Sequence, residues 1–169
     1  NLESLDIGWN EVGNETAKAL GEVSAFASLQ CLEMERGYIE IEALKEMVQG
    51  SLMDQLQELD LSANKLKDEG VQVLALASKW KSLKALRLSQ NMFGDDGAKA
   101  LGESVSLAGL TQLYIGRNYF GAEGAQAIYE SKTITGLKTL VLKEGVESDP
   151  GLVNYSRPEL LRPDDPNSI

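Results

Sequence analysis

The stretch LQELDLSANKLKDEGVQVL, residues 56–74, contains two hydrophobic periodicities in succession. In its first half, Leu59 and Leu61 are two positions apart, which places both on one side of a short strand. In its second half, Val71 and Leu74 belong to an apolar row at helical spacing. The stretch therefore predicts one strand, a turn and one helix.

The strand half of this unit recurs at a constant interval along the chain. Its first leucine is Leu2, Leu29, Leu56, Leu83, Leu110 and Leu137, so every interval is 27 residues. Apolar residues occupy the first, fourth and sixth places of each copy. The ninth place is Asn10, Asn64, Asn91 or Asn118 in four copies and Gly37 or Gly145 in two. An Asn there predicts a tight turn after the strand, because its amide pairs with backbone groups that would otherwise be buried unpaired.

The helix half of the unit keeps the same period. In the fourth copy Asp95 and Asp96 predict a helix N-terminus, and Phe93, Leu101 and Val105 predict its buried side. Glycine recurs at Gly70, Gly97 and Gly124. We expect these small residues to let each helix pack closely on its strand and on the neighbouring unit. They do not form a phosphate loop, because the sequence lacks a strand–GxxxxGK[ST]–helix element.

One such unit cannot bury its own apolar face, whereas stacked units share a continuous core. We therefore predict an α/β solenoid of about five and a half units. Parallel β-strands form its concave face and α-helices its convex face, because helices are wider than strands. The start of the sequence shows no cap, so we expect Leu2, Leu5 and Ile7 to lie at an open edge of the core unless an upstream segment covers them.

The pattern LxxLxLxxN followed by a segment such as GAKAL resembles the leucine-rich repeat, specifically its ribonuclease-inhibitor-like subtype. The matches LQELDLSANKLKDEGVQVL and LKALRLSQNMFGDDGAKAL carry the resemblance. It implies a leucine-rich-repeat domain over residues 1–145. Residues 146–169 are then a degraded last repeat with a C-terminal cap and tail. Repeats of that family usually run a residue or two longer, and the second copy departs most from the pattern.

Composition excludes several classes of function. The chain has no histidine, so it has no Ser-His-Asp triad, no Cys-His nucleophile and no His-ligated zinc. A single cysteine, Cys31, forms no intramolecular disulfide. The formal net charge of −10 disfavours nucleic acid and anionic lipid, and no apolar run is long enough to span a membrane. We predict no enzymatic activity, no cofactor and no metal.

The start of the chain bears on its context. It begins without Met and in the middle of the pattern, which predicts a fragment of a larger protein. It also lacks the basic-then-apolar organisation of a signal peptide. A cytoplasmic location is favoured, or delivery into a host cell if the protein is a bacterial effector.

The net charge is concentrated in the first part of the chain, since residues 1–60 contain thirteen acidic and three basic residues. Period two assigns the third, fifth, seventh and eighth places of each copy to the concave side. The candidate partner-binding residues there are Asp6, Trp9, Glu33, Glu35, Arg36, Glu58, Asp60, Arg87, Tyr114 and Arg117. Arginine and aromatic residues often anchor interfaces. This face predicts a protein partner with a basic patch, and the alternative is an ordinary solvated surface.

The two tryptophans and the single cysteine are interpreted separately. Trp9 contacts the partner or packs against an N-terminal cap. Trp80, in the return loop SKWKSL, has a structural role. Cys31 is a free and unreactive thiol, because neighbouring glutamates disfavour its thiolate.

The resemblance implies a non-enzymatic protein-interaction module that uses its concave face. A GTPase-activating protein of the leucine-rich-repeat type is the second hypothesis, with Arg36, or Arg117 and Asn118, in loop roles. A structural spacer is the third. The carboxylates of Asp6, Glu33 and Asp60 are close enough to affect each other, but an open wall offers no pocket for acid–base catalysis or a calcium ion.

Overall fold

The computed structural model describes residues 1–10, 13–22 and 26–142. Within these ranges six strands alternate with five α-helices. The strands are β1 (Ser4–Asp6), β2 (Cys31–Glu33), β3 (Glu58–Asp60), β4 (Ala85–Arg87), β5 (Gln112–Tyr114) and β6 (Thr139–Val141). The helices are α1 (Gly13–Glu22), α2 (Ile41–Met47), α3 (Lys67–Leu76), α4 (Asp95–Glu103) and α5 (Ala122–Tyr129), with a 3-10 helix at Ser51–Asp54 after α2.

The six strands form one parallel sheet in the order of the sequence. Each strand pairs with the next strand along the chain, and every pair joins residues 27 positions apart, as Leu59 joins Leu86 and Leu86 joins Leu113. Consecutive helices pack side by side in a second layer. The predicted α/β solenoid is therefore confirmed. The predicted cap and tail at 146–169 lie outside the described residues.

The core lies between the sheet and the helices, and the fourth and sixth places of the repeat supply its centre. Leu59, Leu61, Leu86 and Leu88 are all 0% exposed. The first repeat differs, since Leu2 is 44% exposed and Leu5 and Ile7 are only half-buried. These three residues thus lie at an exposed edge of the core, as the pattern predicts.

The ninth-place residues Asn64, Asn91 and Asn118 join consecutive repeats. The side-chain amide of Asn91 donates to the Leu61 carbonyl at 2.9 Å, and its Oδ1 accepts the Asn64 N–H at 3.0 Å. The amide of Asn118 likewise donates to the Leu88 carbonyl at 3.0 Å, and its Oδ1 accepts the Asn91 N–H at 2.8 Å. The sequence predicts the local role of these residues in the turn. The structure adds that each amide crosses to the preceding repeat.

A second connection between repeats lies at the helix N-termini. Asp68, in the first turn of α3, accepts the N–H groups of Gly94 and Gly97 at 2.8 and 2.7 Å. Asp95 makes the equivalent pair of bonds to the repeat that follows it. A Cβ added at Gly97 would lie 2.8 Å from Asp68 Oδ1, and one added at Gly124 would lie 2.6 Å from Asp95 Oδ1. These glycines admit a carboxylate from the neighbouring repeat, which is the close packing predicted for them.

One predicted core residue is placed wrongly by its helical spacing. Val105 is 78% exposed, because α4 ends at Glu103 and Ser104 then adopts an extended conformation. The Ser104 hydroxyl donates to the Ala75 carbonyl, which fixes the chain on its return path. Trp80, by contrast, has the structural role expected of it.

The indole of Trp80 is 4% exposed, and its N–H donates to the Leu74 carbonyl at 2.8 Å.

Substitution of Leu88 by Asp tests the register of the repeat. Leu88 is 0% exposed, so an ionised carboxylate there loses its hydration without a partner, which costs several kcal/mol. We expect Leu88→Asp to abolish the cooperative thermal transition measured by circular dichroism. Leu76→Asp is the matched control, because Leu76 is 84% exposed. A wild-type midpoint for Leu88→Asp would contradict the register.

Replacing Asn91 by Ala tests the connection between repeats. The variant leaves the buried N–H groups of Asn64 and Leu66 without their side-chain acceptor, at about 1–3 kcal/mol for each group. The Leu61 carbonyl loses the Asn91 amide but keeps the amide of Asn64. We expect urea denaturation to show a lower free energy of unfolding. Asn10→Ala is the control, because the exposed Asn10 amide bonds to Gly8 in its own turn and to no other repeat among the residues that the structure describes. Equal losses in the two variants would show that the crossing bonds add nothing.

Candidate protein-binding face

The third and fifth places of each strand point away from the core, opposite the buried fourth place. Across the sheet the third-place row is Ser4, Cys31, Glu58, Ala85, Gln112 and Thr139. The fifth-place row is Asp6, Glu33, Asp60, Arg87, Tyr114 and Val141. Residues of a row lie side by side, about 4.8 Å apart between strands. Ala85 and Val141 are nevertheless buried, at 2% and 3% exposure.

The fifth-place row begins with three carboxylates, which we call the acidic row: Asp6, Glu33 and Asp60. Parallel pairing places Asp6 beside Glu33 and Glu33 beside Asp60. None of the three forms an ion pair with a described residue. Asp6 and Asp60 each accept one N–H from the residue two positions later, at 2.9 and 2.8 Å. The acidic row therefore presents its negative charge without neutralisation.

The next part of the face is a central cluster of four residues: Glu58, Arg87, Gln112 and Tyr114. Arg87 lies beside Asp60 in its row but bonds to Glu58 at 3.3 Å. Its guanidinium carbon also lies 4.9 Å from the centroid of the Tyr114 ring, and the Tyr114 hydroxyl donates to Gln112 at 3.0 Å. Ala85 pairs with the residues on both sides of it, so the cluster surrounds a small side chain. These contacts fix the orientation of Arg87 and Tyr114.

A third group, the Trp9 cluster, consists of Trp9, Glu35 and Arg36 on the turns after β1 and β2. The Arg36 guanidinium lies 3.8 Å from the centroid of the Trp9 ring, and the indole N–H donates to Glu35 at 3.0 Å. The backbones of Trp9 and Arg36 are left-handed, with φ of 60° and 53°. Trp9 is 63% exposed. These contacts join Trp9 to the second repeat, while packing against an N-terminal cap stays a prediction.

Arg117 is exposed on the turn after β5, with a left-handed φ of 55°. The adjacent Asn118 is engaged with the backbone, because its amide donates to the carbonyls of Leu88 and Ile115 at 3.0 and 2.8 Å. Arg117 and Asn118 thus differ in access to solvent, although sequence reasoning placed both in one loop role. The ten predicted residues divide into the acidic row, the central cluster, the Trp9 cluster and Arg117.

The environment of Cys31 disfavours the thiolate. Burial is the largest cause of its raised pKa, and the charges of Glu58 and Glu33 raise it further, while a hydrogen bond with Ser4 acts in the opposite direction. The sequence predicts the effect of the glutamates but not the larger effect of burial. The raised pKa agrees in direction with the weak thiolate character predicted for Cys31.

Sequence reasoning missed one row of exposed residues, which we call the exit rim: Tyr38, Lys65, Met92 and Tyr119. They occupy the tenth place of successive repeats, one position after the ninth-place Asn or Gly. Tyr38, Met92 and Tyr119 are 54%, 38% and 71% exposed. The signal was present in the sequence, because a column one place further along the repeat contains two tyrosines and a methionine.

Neither a cluster of metal-ligating side chains nor a membrane-spanning helix is found in the part of the chain that the structure describes. Within residues 1–10, 13–22 and 26–142 no group of three or more His, Cys, Asp or Glu side chains is placed to hold a metal ion. None of the helices described is both long enough and apolar enough to cross a bilayer.

Comparison with known families supports the repeat pattern. A family model described as Leucine Rich repeat matches residues 1–21, 56–75 and 81–102, which lie in the first, third and fourth repeats. A comparison with curated proteins gives no match. The matched repeats support a leucine-rich-repeat protein, and together with the parallel sheet that alternates with helices they show an α/β leucine-rich-repeat solenoid fold. Such repeats are generally non-enzymatic protein-interaction modules.

The rate at which Cys31 reacts with a chromogenic disulfide reagent tests the electrostatics of the face. Because the folded-state pKa is raised, we expect the midpoint of the rate–pH profile to lie above the ordinary thiol pKa of about 8.5. Glu58→Gln removes a negative charge and releases Arg87, so it lowers that midpoint and increases the rate at lower pH. The urea-unfolded protein is the control. A midpoint at or below that of the unfolded chain would contradict this account.

Proposed function

We propose that this protein is a non-enzymatic recognition module that binds a partner protein through the outward face of its sheet, the face predicted to be concave. The partner presents a basic patch to the acidic row. A second part of its surface contacts the central cluster. The observation that carries the proposal is the acidic row itself, in which three adjacent carboxylates have no cationic partner among the described residues.

The charge arrangement supports a basic partner. Like charges side by side on neighbouring strands repel each other, since the strands are only about 4.8 Å apart. A lysine or arginine of a partner relieves this repulsion and gains ion pairs with Asp6, Glu33 and Asp60. The same field accelerates the encounter with a positively charged surface.

The central cluster supports a specific interface beside the charged one. Arg87 and Tyr114 are held by Glu58 and Gln112 before any partner arrives. Binding therefore loses less side-chain freedom at these positions. Tyrosine and arginine are also the residue types that most often dominate binding energy.

Two finer assignments accompany the proposal. We infer the ribonuclease-inhibitor-like subtype, supported by an α-helix between each pair of consecutive strands. Membership of a larger protein stays a prediction, as do the GTPase-activating and spacer alternatives. The contacts of Arg36 with Trp9 and of Asn118 with the backbone do not favour the GTPase-activating alternative over binding.

A quantitative pull-down tests the proposal. The immobilised protein captures partners from a lysate of the organism that encodes it, and the recovered protein is purified and its affinity measured by calorimetry. We expect Asp60→Lys and Tyr114→Ala each to weaken binding about tenfold or more, a change of about 1.4 kcal/mol. Glu103→Lys is the matched charge control, because Glu103 is exposed at the end of α4 on the helix layer.

Varying the ionic strength distinguishes the electrostatic contribution of the acidic row from the contribution of the central cluster. Raising the salt concentration from about 0.1 M to about 1 M shortens the screening length from about 10 Å to about 3 Å. We expect this to weaken binding by the wild type more than by Asp60→Lys. Wild-type affinity in both Asp60→Lys and Tyr114→Ala, with a loss in Glu103→Lys, would place the interface on the helix layer and contradict the proposal.

A further inference from the structure

The exit rim forms a second exposed surface beside the outward face of the sheet. Its residues Tyr38, Lys65, Met92 and Tyr119 follow the strands and belong to none of the groups on the sheet. Two tyrosines and a methionine that are 54%, 71% and 38% exposed make an apolar strip at one margin of the solenoid. Contiguous exposed apolar surface commonly marks an interaction site.

The exit rim is a continuous row because strand pairing continues into the turns. The Arg36 N–H donates to the Ser62 carbonyl at 3.0 Å, and the Ala63 N–H donates to the Ser89 carbonyl at 2.8 Å. The Gln90 turn makes the same bond to the repeat after it. Neighbouring turns therefore keep roughly the strand spacing of about 4.8 Å, and the four residues span about 15 Å.

The backbone directs the side chains of the row to solvent. Lys65 stands between the buried residues Asn64 and Leu66, and Met92 stands between the buried residues Asn91 and Phe93. With both neighbours turned inward, the tenth-place side chain faces outward. The row is therefore a fixed part of the repeat and not a loose loop.

The charge on the exit rim is opposite to that of the acidic row. Lys65 and Lys67 are exposed and form no ion pair with a described residue. The Lys65 ammonium lies 5.7 Å from the centroid of the Tyr38 ring, which keeps it within the apolar strip. Glu40, one repeat before Lys67, accepts the Asn14 amide N–H at 2.7 Å and keeps its negative charge, so the positive charge beside the strip is centred on Lys65. The strip thus combines aromatic rings with an ammonium group that has no ion-pair partner among the described residues.

We propose that the exit rim binds an extended polypeptide segment that carries carboxylates and apolar side chains. The carboxylates pair with Lys65 and Lys67, and the apolar side chains contact Tyr38, Met92 and Tyr119. Charge complementarity favours this occupant over a basic segment, which the neighbouring acidic row attracts instead. It also favours an acidic peptide over nucleic acid, because a continuous phosphate backbone would extend toward the acidic row on a chain of net charge −10.

Selection from a display library of random peptides tests the proposal. Peptides about twelve residues long are ample to span about 15 Å in extended form. The library is first depleted on the variant Tyr38→Ser/Met92→Ser/Tyr119→Ser and then selected on the wild type. We expect the enriched peptides to carry net negative charge and at least two apolar residues. Their affinity, measured by fluorescence anisotropy, falls about tenfold or more in the triple variant and in Lys65→Glu.

Two matched controls and one independent variant sharpen the result. Leu76→Ser removes an apolar residue that is 84% exposed at the end of α3, and Lys132→Glu reverses an exposed charge outside the exit rim. Both should bind the selected peptides like the wild type. Asp60→Lys should also retain binding, because the exit rim and the acidic row use different side chains.

Several outcomes would overturn the proposal. These are failure to enrich any peptide over the triple variant, enrichment of peptides with net positive charge, and equally effective competition by single-stranded DNA. Loss of peptide binding in Asp60→Lys would also overturn it, since the acidic row would then be the binding site. None of the first three outcomes bears on partner binding by the acidic row, so the two proposals fail separately.

Discussion

A buried asparagine amide that crosses from one repeat to the preceding one is the interaction on which the rest of this structure depends. The chain leaves strands β1 to β5 through left-handed residues, such as Gln90 before Asn91 and Met92 after it. This path buries carbonyl groups that no neighbouring strand reaches. Asn91 is 0% exposed and bonds to the Leu61 carbonyl and the Asn64 N–H. Because Asn91 fixes the turn, it also fixes the outward direction of the side chains on both sides of it.

The same dependence on a neighbour recurs at the helix layer, where Asp68 caps the start of α4. A repeat of this kind does not satisfy its own polar groups, so its stability includes the interface with the next repeat. The second repeat contributes neither device, since it has Gly37 at the asparagine place and Ile41 at the place of Asp68. At the start of its own helix α2, the Glu40 N–H donates to Asn14 of the first repeat at 2.8 Å. The pattern of strong and weak connections therefore varies along the solenoid.

The side chains proposed to bind partners lie at repeat positions that do not point into the core. On the sheet, the acidic row lies beside the central cluster. There Arg87 bonds to Glu58 and lies near the ring of Tyr114, although Asp60 is its neighbour in the row. Beyond the strands, the exit rim presents Lys65 within an apolar strip. The protein thus has a negative surface and a positive-aromatic surface next to each other on one set of repeats. In the two proposals, this separation of charge assigns each surface its own class of partner.

The sequence by itself determined the repeat, the α/β solenoid, the buried leucines and the presence of acidic residues on the outward side of the first three strands. These follow from periodicity, because a side chain's place in a strand decides which side it occupies. Only the tertiary structure decided that Asn91 and Asp68 act on other repeats, that Val105 lies in solvent and that Arg87 pairs with Glu58 instead of Asp60. It also revealed the exit rim. The contacts among these outcomes join residues 26 to 30 positions apart in the chain. The aligned repeat sequences do not specify which of several nearby partners a flexible side chain contacts.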